Sequence, residues 1–169
     1  MSVPIIPELH AIFVHFTIGL LILSVVLQLL VHLIPKMFQI EVKEEISIMS
    51  KWCLWFGVGF SLFAIITGFF AFYAVPSHNA FTHSVMDWHR NWALSAFGLF
   101  VLLGAWSYIS DRKTRKSTAL FLVILFLGGV ALAETARRGG DLVYKYGIGV
   151  EACSIKEAPP QNHGHLGSM

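Results

Sequence analysis

The stretch Ala11-Ile12-Phe13-Val14-His15-Phe16-Thr17-Ile18-Gly19-Leu20-Leu21-Ile22-Leu23-Ser24-Val25-Val26-Leu27-Gln28-Leu29-Leu30-Val31-His32-Leu33-Ile34 contains no Asp, Glu, Lys or Arg. As a helix rising 1.5 Å per residue it is long enough to cross the ~30 Å hydrocarbon core of a bilayer. A helix satisfies its own backbone there, where an open strand would not. Three further apolar runs follow, at 52–75, 92–109 and 118–136, the third span beginning earlier than its apolar core, near Ser84. The chain of 169 residues is 56% hydrophobic and 13% charged, with a mean hydropathy of +0.68, outside the range of soluble domains. These features predict an all-α fold, an integral membrane four-helix bundle occupying residues 1–150, with 151–169 as a flexible extramembrane tail. The first run is too long for a signal-peptide core and lacks a basic start or small-residue cleavage site, so it is expected to remain in the mature protein.

Orientation follows the distribution of Lys and Arg. Lys36, Lys43 and Lys51 fall between the first two spans, and Arg112, Lys113, Arg115 and Lys116 between the last two. Against these seven stand five on the other side: Arg90, Arg137, Arg138, Lys145 and Lys156. The excess predicts a bacterial inner (cytoplasmic) membrane protein with both termini outside. Trp88, Trp92, Tyr73, Tyr144 and Tyr146 then form the outer aromatic belt, and Trp52, Trp55, Trp106 and Tyr108 the inner one. Cys53 and Cys153 lie on opposite sides of this topology and cannot form one disulfide. Nucleic acid is not an expected partner.

Five of the eight histidines, His10, His15, His78, His83 and His89, collect at the outer side. Ionisable side chains near membrane depth are costly, and paired histidines on separate spans suit a haem. His10 and His15 are five residues apart, about 140° around a helix, and His83 and His89 six apart, about 120°. Neither pair has the one-turn spacing of a preformed metal chelate such as HExxH, so ligation between helices fits better. The first and third spans run in the same direction. Matching depth therefore pairs His15 with His89 in the favoured site and His10 with His83 in a second. One or two b-type haems follow, held without covalent attachment because no CxxCH is present.

Simpler roles stand beside this. A histidine at the start of a span is commonly interfacial, as expected of His32 at the inner end; His78 reads as a turn residue, and His163 and His165 as part of the tail. Glu134 stands one turn before Arg137 and Arg138, the spacing of a helix-end ion pair. The same arginines, with Arg90, are candidates to neutralise haem propionates or an anionic quinone intermediate. Asp87 is placed to accept a proton from a ligating imidazole. Small residues along span two, Gly57, Ser61, Ala64 and Gly68, and the pair Gly128-Gly129 in span four, suit close helix packing. Gly139-Gly140 is expected to stop span four, and the alternating residues through Val150 to form a short extended or re-entrant flap over the outer mouth.

The segment Leu9-His10-Ala11-Ile12-Phe13-Val14-His15-Phe16, the start of span three around His89, and Gly139-Gly140-Asp141-Leu142-Val143-Tyr144 through Gly147-Ile148-Gly149-Val150 resemble a bacterial four-span membrane family, domain of unknown function 2231. The resemblance covers nearly the whole chain to Val150. Where members of that family often read HP, this chain has His10-Ala11, which changes how the helix begins but keeps the histidine. Some members carry Rieske or cytochrome c modules, so the resemblance implies an electron-transfer setting.

Together these readings predict a b-type haem electron-transfer protein, or an oxidoreductase subunit, exchanging electrons with quinone and a Rieske or cytochrome c partner, alone or in a larger membrane complex. Its cofactor-binding residues are His10, His15, His83, His89, Arg90, Arg137 and Arg138. Two alternatives use the same chain: a transition-metal binding or transport protein ligating through His10, His15, His83 and His89, and a cofactorless accessory subunit. No group forms an organised nucleophile or hydrolytic base.

Overall fold

The computed structural model describes residues 5–33, 40–74, 80–112 and 119–148. Four helices account for nearly all of them: α1 (Ile5–Leu33), α2 (Ile40–Ala74), α3 (Ala80–Arg112) and α4 (Ala119–Tyr144), and no strand occurs among the described residues. Each helix is long and apolar enough to cross a membrane. The expectations for His78, His163, His165, Cys153 and residues 151–169 lie outside the described residues.

Successive helices run in opposite directions, and the bundle closes as a ring in which α1 packs on α2 and α4, and α3 on α2 and α4. Among the described residues the diagonals α1–α3 and α2–α4 make no backbone-level approach. The starts of α1 and α3 therefore share one end of the bundle, the histidine end, and face each other across its axis. Toward the far end the axis is filled by Leu21, Val25, Leu54, Phe100, Leu103 and Leu125, all buried. Phe100 is fully enclosed. Polar groups meet here too: Ser50 Oγ donates to the Ser24 carbonyl at 2.9 Å and lies 3.4 Å from Ser24 Oγ. Cys53 is a buried free thiol.

Two boundaries differ from the sequence reading. Helix α2 begins at Ile40, twelve residues before the apolar run, because the charged turn containing Glu41 is helical too and its acid suits the positive end of the helix dipole. Helix α4 does not stop at Gly139-Gly140 but continues to Tyr144. The stop comes at Gly147, whose φ of 64° lies in the left-handed region, with Gly147 N donating to Val143 O at 3.1 Å and Ile148 N to Leu142 O at 2.9 Å. The end of the described chain is thus a closing turn rather than an extended flap. It still reaches the cavity, through Ile148.

Candidate functional site

At the histidine end the four helices diverge around a cavity of about 480 Å³, a volume in the range of small-molecule and cofactor sites. Its wall is largely apolar, and its polar side chains are few: His10 and Thr17 from α1, Ser61 from α2, His89 and Arg90 from α3, Thr135 from α4.

His10 is held by α2. Its Nδ1 is 2.9 Å from the Ala64 carbonyl. A carbonyl only accepts, so Nδ1 carries the proton and Nε2 keeps the lone pair. Gly68, one turn beyond Ala64, leaves the room the ring occupies, since a Cβ there would come within 2.9 Å of His10 Cε1. His89 is seated on α4 in the same way. The Thr135 carbonyl lies beside the ring, and a Cβ at Gly139, one turn beyond Thr135, would come within 3.1 Å of His89 Cε1. His89 Nδ1 is buried and has no hydrogen-bond partner among the described residues, as is Thr17 Oγ1. Buried polar atoms without a well-formed partner are uncommon in native proteins, and two of them border this cavity.

The pairing expected from depth is not the one the helices form. His10 and His89 line the cavity; His15 and His83 do not. His15 is exposed on the outside of α1 and is bonded through Nδ1 to its own Ala11 carbonyl at 2.6 Å. His83 is exposed as well, its Nδ1 3.2 Å from Asp87 Oδ2. The reason is rotation: at 100° per residue His15 is carried about 140° away from His10, off the face that α1 turns to the axis. Nor does Asp87 support His89; it pairs with His83 and with Arg90 at 3.0 Å. Among the described residues no three His, Cys, Asp or Glu side chains converge as a metal ion's ligands would.

The arginines separate similarly. Arg90 lines the cavity and stacks over Phe72, 5.3 Å from the ring centroid. Arg137 and Arg138 are outside it. Arg137 grips Glu134 with two bonds of 2.7 Å and Asp141 with one of 3.0 Å. Arg138 pairs with Glu134 at 2.8 Å and sits over Trp88 and Trp92. Both guanidinium groups are thus committed to the helix-end ion network, which Lys145 extends by contacting Asp141 at 2.7 Å.

Sequence reasoning passed over Thr17, Gly68, Thr135 and Gly139 as parts of the site. A signal was present in α1: His10, Thr17, Ser24 and Gln28 recur at seven, seven and four residues, a polar stripe that marks the face turned inward, and His15 is not on it. Thr17, Ser24 and Gln28 are all buried.

This arrangement defines a class, a polytopic helical membrane protein with a ligand-sized chamber between its helices and one imidazole on each of two facing helices. The chain belongs to the family described as predicted membrane protein (DUF2231), which matches residues 7–152. No curated protein and no solved structure matches it.

Proposed function

We propose that the protein is a b-type membrane cytochrome, or the haem-bearing subunit of a larger membrane oxidoreductase, in which His10 and His89 would hold the haem. The supporting observation is the pair itself: two imidazoles from diagonally opposed helices lining one cavity. In His10 the Nδ1 proton goes to a backbone carbonyl, the contact a ligating histidine commonly makes, and Nε2 is left to coordinate. The residues present fit the group. The wall is largely apolar, and among the described residues the cavity offers two imidazoles rather than the three or four ligands of a protein metal centre.

Haem, when bound, supplies a one-electron carrier. The chain's residues hold and tune it. The cavity's wall is largely apolar, and Arg90, which lies on that wall and pairs with Asp87 at 3.0 Å, would offer its remaining N–H groups to an acidic substituent. Arg137 and Arg138, engaged by Glu134 and Asp141, shape the mouth instead. In this reading the protein lies in the bacterial inner membrane with both termini outside, and exchanges electrons there with quinone or a Rieske or cytochrome c-type partner. A transition-metal carrier is less well supported, because the four histidines do not converge.

The test is to purify the protein in mild detergent with haem supplied during expression, and to record oxidised and dithionite-reduced spectra. A sharp reduced α band is expected, lost in His10→Ala and in His89→Ala and retained in His15→Ala and His83→Ala. A colourless, folded preparation overturns the reading.

A further inference from the structure

The two histidine seats share a pattern, an imidazole packed against a helical glycine of the following helix with a backbone carbonyl one turn before that glycine. Setting His10 against His89 and Gly68 against Gly139 in the sequence places the positions of the two hairpins, α1–α2 and α3–α4, in correspondence. After His10 the cavity is lined at four, seven, eight and eleven residues by Val14, Thr17, Ile18 and Leu21. At the same intervals after His89 it is lined by Ala93, Ala96, Phe97 and Phe100. Before Gly68 the lining positions Ser61, Ala64 and Ile65 correspond to Leu132, Thr135 and Ala136 before Gly139.

Helical periodicity alone reproduces such intervals along any inward face. It does not fix how one helix meets the next, and that also repeats. Eleven residues before each seat glycine stands another glycine, facing the residue eleven after each histidine: Gly57 accommodates Leu21, and Gly128 accommodates Phe100. Farther along, Ser24 corresponds to Leu103 and Leu54 to Leu125, and all four are buried. At the other extreme Tyr73 corresponds to Tyr144, 79% and 91% exposed. His10 and Gly68 are 58 residues apart and His89 and Gly139 50, so the first hairpin is longer, and the extra residues fall between Gln28 and Ser50 at the far end. The ring of contacts is compatible with the same operation, since exchanging hairpins turns the α2–α3 contact into the α4–α1 contact, although α1 and α2 pack together much more extensively than α3 and α4. Because both hairpins start at the histidine end, the relation is a two-fold rotation about the bundle axis, the parallel kind of repeat found in membrane proteins.

We propose that the chain is a tandem duplication of a two-helix unit, and that the cavity is a single shared site on the pseudo-two-fold axis, each copy contributing one imidazole to the same ligand. The identity of that ligand as haem rests on the reading above. The duplication adds that the site would hold one haem, not two, and that the two imidazoles would play equivalent parts in holding it. The lining departs from the symmetry at several positions: Leu94 corresponds to His15 and Phe69 to Gly140, and in each case the first lines the cavity while its counterpart does not. Arg90 corresponds to Ala11, so among the described residues the one Lys, Arg, Asp or Glu side chain on the wall, itself paired with Asp87 at 3.0 Å, stands on one side, where it would fix which way an acidic ligand edge points.

The experiment combines stoichiometry, ligand variants and a cross-link. A pyridine haemochrome assay should give one haem per chain; two per chain overturns the shared site. His10→Gly and His89→Gly should each lose the low-spin spectrum and each regain it with added imidazole. Recovery confined to one variant, or a spectrum indifferent to either, overturns the equivalence. Arg90→Gln should double the haem methyl resonances of the ferric protein as both orientations become populated, and a single set overturns Arg90 as the orienting group. To separate the site from its ligand, His10→Cys with His89→Cys in a Cys53→Ala, Cys153→Ser background should be joined within one chain by a bis-maleimide, whereas His15→Cys with His83→Cys should not. Cross-linking in a protein that takes up no haem keeps the shared site and removes haem as its ligand. No cross-link in a chain that still elutes as the folded monomer overturns the shared site.

Discussion

At the scale of the residue, the site depends on two missing methyl groups. Gly68 and Gly139 let an imidazole lie directly on the neighbouring helix, and a Cβ at either would be 2.9 or 3.1 Å from a ring carbon. Gly68→Ala and Gly139→Ala should each force the ring aside and lower stability by about 1–3 kcal/mol, the usual cost of overpacking. Gly19→Ala and Gly98→Ala, where nothing lies within 4 Å, should be neutral or slightly stabilising. Denaturant titration in detergent checks this, and the proposal adds a shifted haem spectrum for the first pair only. That the histidines gather at one end of the bundle was legible in the chain, but the level at which α1 and α3 face each other and the rotation of the helices were not. In lipid the outward face of a helix is as apolar as its inward face, so hydrophobicity does not distinguish His10 from His15. The polar stripe through Thr17, Ser24 and Gln28 does, because a membrane helix hides its hydroxyls and amides.

At the scale of the element, the number and approximate extent of the helices could be read from four apolar runs, while their ends could not. The pair Gly139-Gly140 looks like a stop signal, and in water it commonly is one. Here neighbouring packing keeps both residues helical, Gly139 because His89 needs the space, and the terminating role passes to Gly147. The two readings diverge under substitution. Gly147→Ala places a side chain in a left-handed conformation, at a cost of about 1–2 kcal/mol, and should loosen Ile148 from the cavity mouth. Gly140→Ala, inside the helix with only the Tyr144 ring at 3.9 Å, should instead stabilise by about 0.5–1 kcal/mol. Thermal unfolding of the two variants in detergent measures the contrast; equal destabilisation would mean that α4 ends where the sequence suggested.

At the scale of the whole molecule, the duplication makes visible a difference between the two flanks of the bundle. On α2, Phe63, Ile66 and Phe70 are 53%, 44% and 58% exposed, an apolar surface suited to lipid. The corresponding positions on α4 are Glu134, Arg137 and Asp141, joined in one ion network with Arg138 and Lys145. If the two helices cross the same membrane at the same level, as Tyr73 and Tyr144 indicate, then one lattice of positions is apolar on one flank and ionised on the other. Glu134 is ten residues before Tyr144, about 15 Å along the helix. Charges at that depth are not stable against hydrocarbon, even paired, and such groups turn toward water or protein. The α4 flank should therefore be wet or covered where the α2 flank is bathed in lipid. In reconstituted vesicles, a spin label at Ile66→Cys should collide with dissolved oxygen and be protected from a polar nickel complex. At Arg137→Cys the preference should reverse, or both collisions should fall if a partner covers the flank. Oxygen-dominated collision at both sites would show that the ion network faces lipid after all, and that the symmetry of the fold extends to its surroundings.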